Sequence, residues 1–288
     1  MARLWVVVAT KNLWAVANGI SICTGCSSNH RGSVKHSVSA FVLTQNNEAT
    51  IRACLDSVTW CDEIVIIDSF STDRTLEIAR EYPRLKIYQN EYTTAAEQRI
   101  WGNPHVTSEW VFIIDSDEEC PPDLRDKFIS ILEQDKIEND GFVIRIRTRF
   151  MGRLLEHHDY ISAKGKRLVL KEVATRYKKT ASVHATIKLD HIAFIEPKYY
   201  LIHNPIRSLD LHYQKMIRYA RWQAQDMHVS GRKAHWWHIL LRPIGKFMQF
   251  YLVYGGFRDG LQGLLICLLA AYSIFLKFSL LYDLQRQD

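Results

Sequence analysis

From Ser37 onward the chain repeats one pattern: a short apolar run, a polar cluster, then a segment with helical spacing. The apolar runs are VSAFVL (38–43), EIVIID (63–68), LKIYQN (85–90) and WVFIID (110–115). Each is short and bounded by turn-forming residues, so each reads as a buried strand. Between them, EATIRACLDSV sets Ile51, Cys54, Leu55 and Val58 at helical spacing. STDRTLEIAREY supplies cap residues and then a helix that closes before Pro83, and TAAEQRIWG predicts a short helix or turn. PPDLRDKFISILEQ opens on prolines and places Leu124, Phe128, Ile131 and Leu132 on one face. DGFVIRIRTRF predicts a turn followed by an alternating strand. Strands alternating with helices predict an α/β fold, with a mostly parallel sheet and helices on both faces.

Three of these strands run into polar clusters: Thr44 to Glu48, Asp68 to Asp73, and Asp115 to Glu119. In open sheets of this kind ligands bind beyond the carboxyl ends of the strands, near a switch point. The clusters are therefore expected on one rim.

The last cluster, DSDEE, carries four acids in five positions. Alternate residues of an extended chain share a side, which puts Asp115 and Asp117 together with the small Ser116 between them. Paired carboxylates repel unless a cation joins them. Oxygen donors suit Mg²⁺ or Mn²⁺, which complete their shells with water and substrate phosphates. A metal–diphosphate seat is one reading of this cluster, and a solvated loop capping the next helix is the other. Asp68 likewise either accepts the N3–H of a uracil or caps the helix after it, where Ser69, Ser71 and Thr72 also stand.

Taken together, LTQNNEATIRACLDSVTWCDEIVIIDSFSTDRTLEIARE, AAEQRIWG and EWVFIIDSDEECPPDLRDKF resemble family-2 glycosyltransferases of the lipopolysaccharide-core type. That subgroup typically shows TYNEE, DEIVVVDSGSTD, QKN and DADE. RTRFMGRLL, KRLVLK, SVH and the long segment from Leu240 continue the likeness, which covers about Ser37 to Asp283. The resemblance implies a GT-A (Rossmann-like) fold and inverting transfer from a nucleotide-sugar, UDP-linked, assisted by Mg²⁺ or Mn²⁺. By position it implies that Thr44, Asn46 and Glu48 line the nucleoside pocket and that Asp68 contacts the base. Gln98 and Arg99 would lie near the ribose and diphosphate, with Arg167 near the donor. Asp115 and Asp117 would form the metal motif, Asp117 being the direct ligand, and His184 would approach the metal or diphosphate.

The chain departs from that pattern where a base is expected. Ala163 and Ala185 stand at the two positions that usually carry acids, and Phe70 replaces a common glycine. Glu156 and Asp159 in LLEHHDYISAKGKR are the nearby carboxylates able to act as the base, Asp159 first. A non-catalytic nucleotide- or glycan-binding relative that has lost its base is one alternative. A sugar nucleotidyltransferase is another, but LTQNNEAT lacks the glycine and basic residues that a triphosphate loop needs.

With 288 residues the chain can bury a large core without disulfide or metal staples. Its six cysteines are scattered, and the single CxxC at Cys23 and Cys26 lacks the second pair that a zinc site needs. A reduced, cytosolic setting follows. Residues 1–36 show no regular pattern and are expected to form a poorly ordered N-terminal extension, with residues 1–33 translated from an upstream start. Residues 37–205 are expected to form the GT-A nucleotide-sugar-binding domain. Residues 206–288 are expected to form amphipathic and apolar helices that associate with a membrane.

In that last region, Arg207 to Lys246 holds eight Lys or Arg against two Asp, interleaved with tryptophans. This composition suits an anionic membrane surface. No nucleic-acid partner is expected, because no reader motif accompanies the basic stretch. Gly260 to Leu276 has no charged residue, which is near the length that spans a bilayer. It reads as a spanning helix, a shallow or re-entrant helical hairpin, or a soluble helix buried against the core, with surface or partial insertion favoured. The expectation is a protein on the cytoplasmic face of the inner membrane, peripheral or partly inserted, acting on a lipid-linked or lipopolysaccharide-core glycan.

Overall fold

The computed structural model describes residues 35–157, 164–176, 187–205 and 209–287. In chain order the elements are β1 (Val38–Thr44), α1 (Ile51–Ser57), β2 (Glu63–Asp68), α2 (Thr75–Ala79), β3 (Leu85–Gln89), α3 (Ala95–Gly102) and β4 (Trp110–Asp115). Then come β5 (Glu118–Glu119), α4 (Pro122–Leu132), β6 (Gly141–Phe150), β7 (Arg153–Leu154), β8 (Lys164–Leu170), β9 (Ile192–Phe194) and β10 (Tyr200–His203). Helices α5 (Leu209–Val229), α6 (Trp236–Met248) and α7 (Gly260–Leu284) end the chain. The expected extension at residues 1–33 lies outside the described residues.

The chain divides into two compact units that interleave along the sequence. Among the described residues, one comprises residues 35–116, 122–143, 166–176 and 187–194, and the other residues 117–121, 144–157, 164–165, 195–205 and 209–287.

In the first unit, β3, β2, β1 and β4 lie side by side and parallel. Every residue of β2 is buried, as a parallel strand covered on both faces requires. The period-two alternation sends Phe41, Val65, Ile67, Val111 and Ile113 to one face, where they form a core with Val169, Ile187 and Leu189. Phe112 packs on the opposite side, edge-on to Phe128 of α4 at 5.0 Å and beside Trp60 at 6.1 Å.

Beyond β4 the sheet stops being parallel. Strand β8 runs antiparallel to β4, pairing Trp110 with Leu170 and Phe112 with Leu168. In the second unit, β10 runs parallel to β6, while β7 and β5 run antiparallel to β6 and β10. The expectation of a mostly parallel sheet is thus corrected to a mixed one. Consecutive parallel strands need a long crossover, usually a helix, and the connections into β7 and β8 contain no helix among the described residues.

The second unit also holds the three long helices. Met216 of α5 packs with Phe250, Ile266, Leu269 and Ala270, and Ala224 packs with Ala234, Phe278 and Leu281. Gly256–Leu284 forms one helical stretch long and apolar enough to cross a membrane by length and composition.

Candidate active site

The register of the parallel strands brings their carboxyl ends level. Thr44 sits opposite Asp68, Leu43 opposite Asp115, and Asp68 opposite Gln89. The polar residues that close β1, β2 and β4 therefore share one rim of the first unit, as the sequence pattern predicts.

Two loops on this rim are stapled to each other. The Asn46 N–H donates to Ser71 Oγ at 2.8 Å, and Asn46 Oδ1 accepts from the Thr72 N–H at 2.8 Å. Asn46 is in the left-handed region at φ 52°, which asparagine tolerates. The Glu48 N–H donates to Asp73 at 3.0 Å, and Glu48 Oε2 accepts from the Arg74 N–H at 3.0 Å. Burial alone would lift the Asp73 carboxyl, but hydrogen bonds from Thr75 and from the Glu48 and Thr75 N–H groups outweigh it, and the group lies below its ordinary range. Thr44 is buried, with its hydroxyl 3.3 Å from Asn47 Nδ2. That same amide group bonds Ser116, directly after Asp115.

Asp68 is fully buried. It accepts from the Ser71 N–H at 3.0 Å, from the Ser71 hydroxyl and from Gln89 Nε2 at 2.9 Å. These bonds cap the loop ahead of α2. Gln98 is buried as well. Its Nε2 reaches the carbonyls of Asn90 at 3.1 Å and Glu91 at 2.8 Å, so it anchors the loop between β3 and α3.

Asp115 lies between two guanidinium groups. Arg99 of α3 donates to Oδ1 at 2.9 Å, and Arg167 of β8 donates to Oδ2 at 3.3 Å and 3.4 Å. Three site residues taken from distant parts of the sequence thus meet at one carboxylate.

Asp117 opens the second unit. The antiparallel pairing of β5 with β10 sets His203 opposite Glu118, and His203 Nε2 comes within 3.5 Å of Asp117 Oδ2. The Asp117 carbonyl accepts from the Asn204 N–H at 2.8 Å. Glu119 is held by Arg149 at 2.9 Å and by Asn204 Nδ2 at 2.6 Å. A carboxylate oxygen and an imidazole nitrogen side by side form a donor pair that fits a divalent cation such as Mn²⁺. Among the described residues no cluster of three His, Cys, Asp or Glu ligands occurs. An ion held by this pair would complete its shell with water and substrate phosphates.

His203 is not among the residues that the sequence pattern singles out. Its signal is present all the same: a polar residue closing the apolar run YLIH, as Asp115 closes WVFIID. Glu156 is exposed, its backbone N–H bonded to Asp259 at 3.0 Å and its carboxylate 4.0 Å from Arg147. Asp159, Ala163, His184 and Ala185 lie outside the described residues.

In α/β sheets ligands bind beyond the carboxyl ends of the strands, which is where these acids and arginines gather. The chain belongs to glycosyl transferase family 2, whose profile matches residues 39–195, and it is a glycosyltransferase. It is similar to the lipopolysaccharide core biosynthesis glycosyltransferase LpsC of Rhizobium meliloti (strain 1021), with 25% identity over 85% of this chain and 92% of that one. It is also similar to a glycosyltransferase of Rickettsia typhi, with 24% identity over 87% of this chain and 88% of that one. Among solved structures, the mannosyltransferase PcManGT from Pyrobaculum calidifontis, in complex with GDP-Man and Mn²⁺, covers 87% of this chain and 88% of its own. Its TM-score is 0.50 at 16% identity, a likeness of fold.

Proposed function

We propose that the protein transfers a sugar, with inversion, from a UDP-sugar to a lipid-linked or lipopolysaccharide-core saccharide at the cytoplasmic face of the inner membrane. The observation that carries this reading is the shared rim of Thr44, Asp68 and Asp115, with Arg99 and Arg167 on Asp115. The likeness to LpsC along most of both chains supports the acceptor class.

In this reading the stapled loops at Asn46–Glu48 and Asp68–Asp73 shape the nucleoside pocket. Asp68 is already bonded within its loop, so it would read the base with whatever lone pairs remain. Arg99 and Arg167 supply fixed positive charge beside the diphosphate. Asp117 and His203 would hold a divalent cation, which when bound offsets charge on the departing diphosphate. A carboxylate, Asp159 or Glu156, takes the acceptor hydroxyl proton as the oxygen attacks the anomeric carbon, worth roughly 10²–10⁴ in rate.

The test is transfer and donor hydrolysis across a panel of nucleotide-sugars with Mn²⁺, paired with calorimetry of UDP binding. Turnover of a UDP-sugar is expected, and Asp117→Ala and His203→Ala should each remove the metal-dependent part of UDP affinity. Asp68→Ala should weaken UDP binding even with chelator present. Turnover confined to GDP-sugars, or unchanged UDP affinity in all three variants, would reject the donor site. Asp159→Asn or Glu156→Gln should keep donor affinity and lose transfer, and the variant that does so identifies the base.

A further inference from the structure

Helix α6 is turned inside out. An amphipathic helix of a soluble protein presses its apolar stripe against the core and gives its charges to water. In α6, WWHILLRPIGKFM, no residue is buried, and besides Arg242 and Gly245 a whole apolar face is exposed. Trp236 is 62% exposed, Leu241 61% and Ile244 59%, with Trp237, Leu240 and Met248 also exposed. These six fall at three- and four-residue spacing and so share one side of the helix.

Arg242 and Lys246 stand on the other side. The Arg242 guanidinium lies 4.7 Å from the ring centre of Phe278 in α7, and the Lys246 ammonium lies 3.6 Å from that of Phe250. Ile239 and Phe247 also pack inward, and the His238 ring lies 5.5 Å from that of Phe278. The apolar face continues past the helix through Leu252 and Val253, both exposed.

The charge around this face has one sign. Between Asp226 and Asp259 there is no acidic residue, while Arg232, Lys233, Arg242, Lys246 and Arg258 are all basic. Apolar side chains with tryptophans on one side and cations on the other are what a helix lying in a membrane interface requires. Tryptophan favours the headgroup level because its ring is apolar and its N–H is not. Helix α7 is better satisfied within the protein: Ile266, Cys267, Ala270, Phe278 and Leu281 are buried against α5, α6 and the turn after α6.

We propose that α6, and not α7, is the element that attaches this protein to the membrane. It lies flat in the interface of an anionic bilayer, with Trp236, Leu240, Leu241, Ile244 and Met248 among the acyl chains, while the exposed Arg232, Lys233 and Arg258 that flank the helix meet the phosphate headgroups. The assignment rests on the membrane attachment proposed above and specifies its chemistry.

The test is flotation of the full-length protein with vesicles of phosphatidylcholine alone and of phosphatidylcholine and phosphatidylglycerol in equal parts. Wild type should float with the anionic vesicles, and Leu240→Glu/Ile244→Glu should bind them at least roughly tenfold more weakly. Both positions are exposed, so circular dichroism and UDP affinity should not change. Trp236→Phe/Trp237→Phe should still float but lose most of the tryptophan quenching by brominated lipids. Undiminished binding by the glutamate variant, with loss instead in Leu268→Glu/Phe275→Glu on the exposed side of α7, would overturn the assignment and leave membrane attachment standing. Failure of wild type to float with either vesicle would overturn both. A wild-type dimer that the glutamate variant dissociates, without vesicle binding, would give the face to a second copy and overturn the proposal.

Discussion

The carboxylate of Asp115 accepts a hydrogen bond from Nη2 of Arg99 at 2.9 Å, which fastens the end of β4 to helix α3. Arg167 holds the other oxygen from β8. Asp115→Ala would leave two poorly exposed guanidinium groups facing one another without the anion between them. A loss of stability of about 1–2 kcal/mol is expected, discounted because the carboxylate is partly open to solvent. Urea unfolding measures it, and Asp115→Asn, which keeps the shape but not the charge, should lose nearly as much. An Asp115→Ala variant as stable as wild type would show that the ion pairs contribute nothing to the fold.

Gly102 ends α3 where the helix meets the sheet. A Cβ built there would stand 2.6 Å from Phe41 Cζ and 2.7 Å from Ile67 Cγ1. Both neighbours are buried in the core and cannot give way freely. Gly102→Ala is therefore expected to cost about 1–3 kcal/mol by overpacking. In the proposed donor site, to which α3 contributes Gln98 and Arg99, UDP affinity should fall with it. A thermal shift near zero would show that α3 can slide away from the sheet at no cost.

Phe70 occupies the left-handed region at φ 56° and its side chain is 57% exposed. Phenylalanine there carries a strain of roughly 1–2 kcal/mol, and it gains little packing in return. Phe70→Gly should raise stability by about 0.5–1 kcal/mol, since glycine relieves the strain but adds freedom to the unfolded chain. Strain of this kind is retained where it serves a site. In the proposed reading, where this loop shapes the nucleoside pocket, the same variant is expected to bind UDP more weakly. A drop in melting temperature would contradict the strain account.

Glu63 is buried at the start of β2, paired with Lys86 and bonded by Ser39 at 2.7 Å and the Thr107 N–H at 2.9 Å. Burial alone would raise its pKa, but the bonds from Lys86, Ser39 and Thr107 outweigh it and hold the carboxyl below its ordinary value. A depressed folded pKa means a stabilising contribution that is complete above the unfolded pKa and is lost as pH falls through the folded one. Glu63→Gln should cost about 1–3 kcal/mol near neutral pH. Its stability should also fall less steeply than wild type on acidification below about pH 5. Parallel acid limbs in the two proteins would exclude Glu63 as a contributor.

Much of the first unit was legible because its signals are local. The apolar runs that became β1 to β4 and the helical spacing of Leu124, Phe128, Ile131 and Leu132 depend on near neighbours in the chain. The acids that close β2 and β4 could be placed on one rim because parallel strands put like ends together. What each acid bonds was not legible. The Asp68–Ser71 bond spans three residues, but Asp68 also meets Gln89, and Asp115 meets Arg99 and Arg167, through contacts between separate segments.

The sequence by itself determined the periodicities, the acid-ended strands, the family likeness and the presence of an amphipathic, basic segment at α6. Only the tertiary structure decided that β8 returns antiparallel to β4 and that His203 comes to Asp117. It alone also decided that α6 turns its apolar side outward. Periodicity records which residues share a side of a strand or helix, and it is set by backbone geometry within a few residues. Which neighbour that side meets depends on strand pairing and helix packing between segments far apart in the chain, and no local pattern encodes that choice.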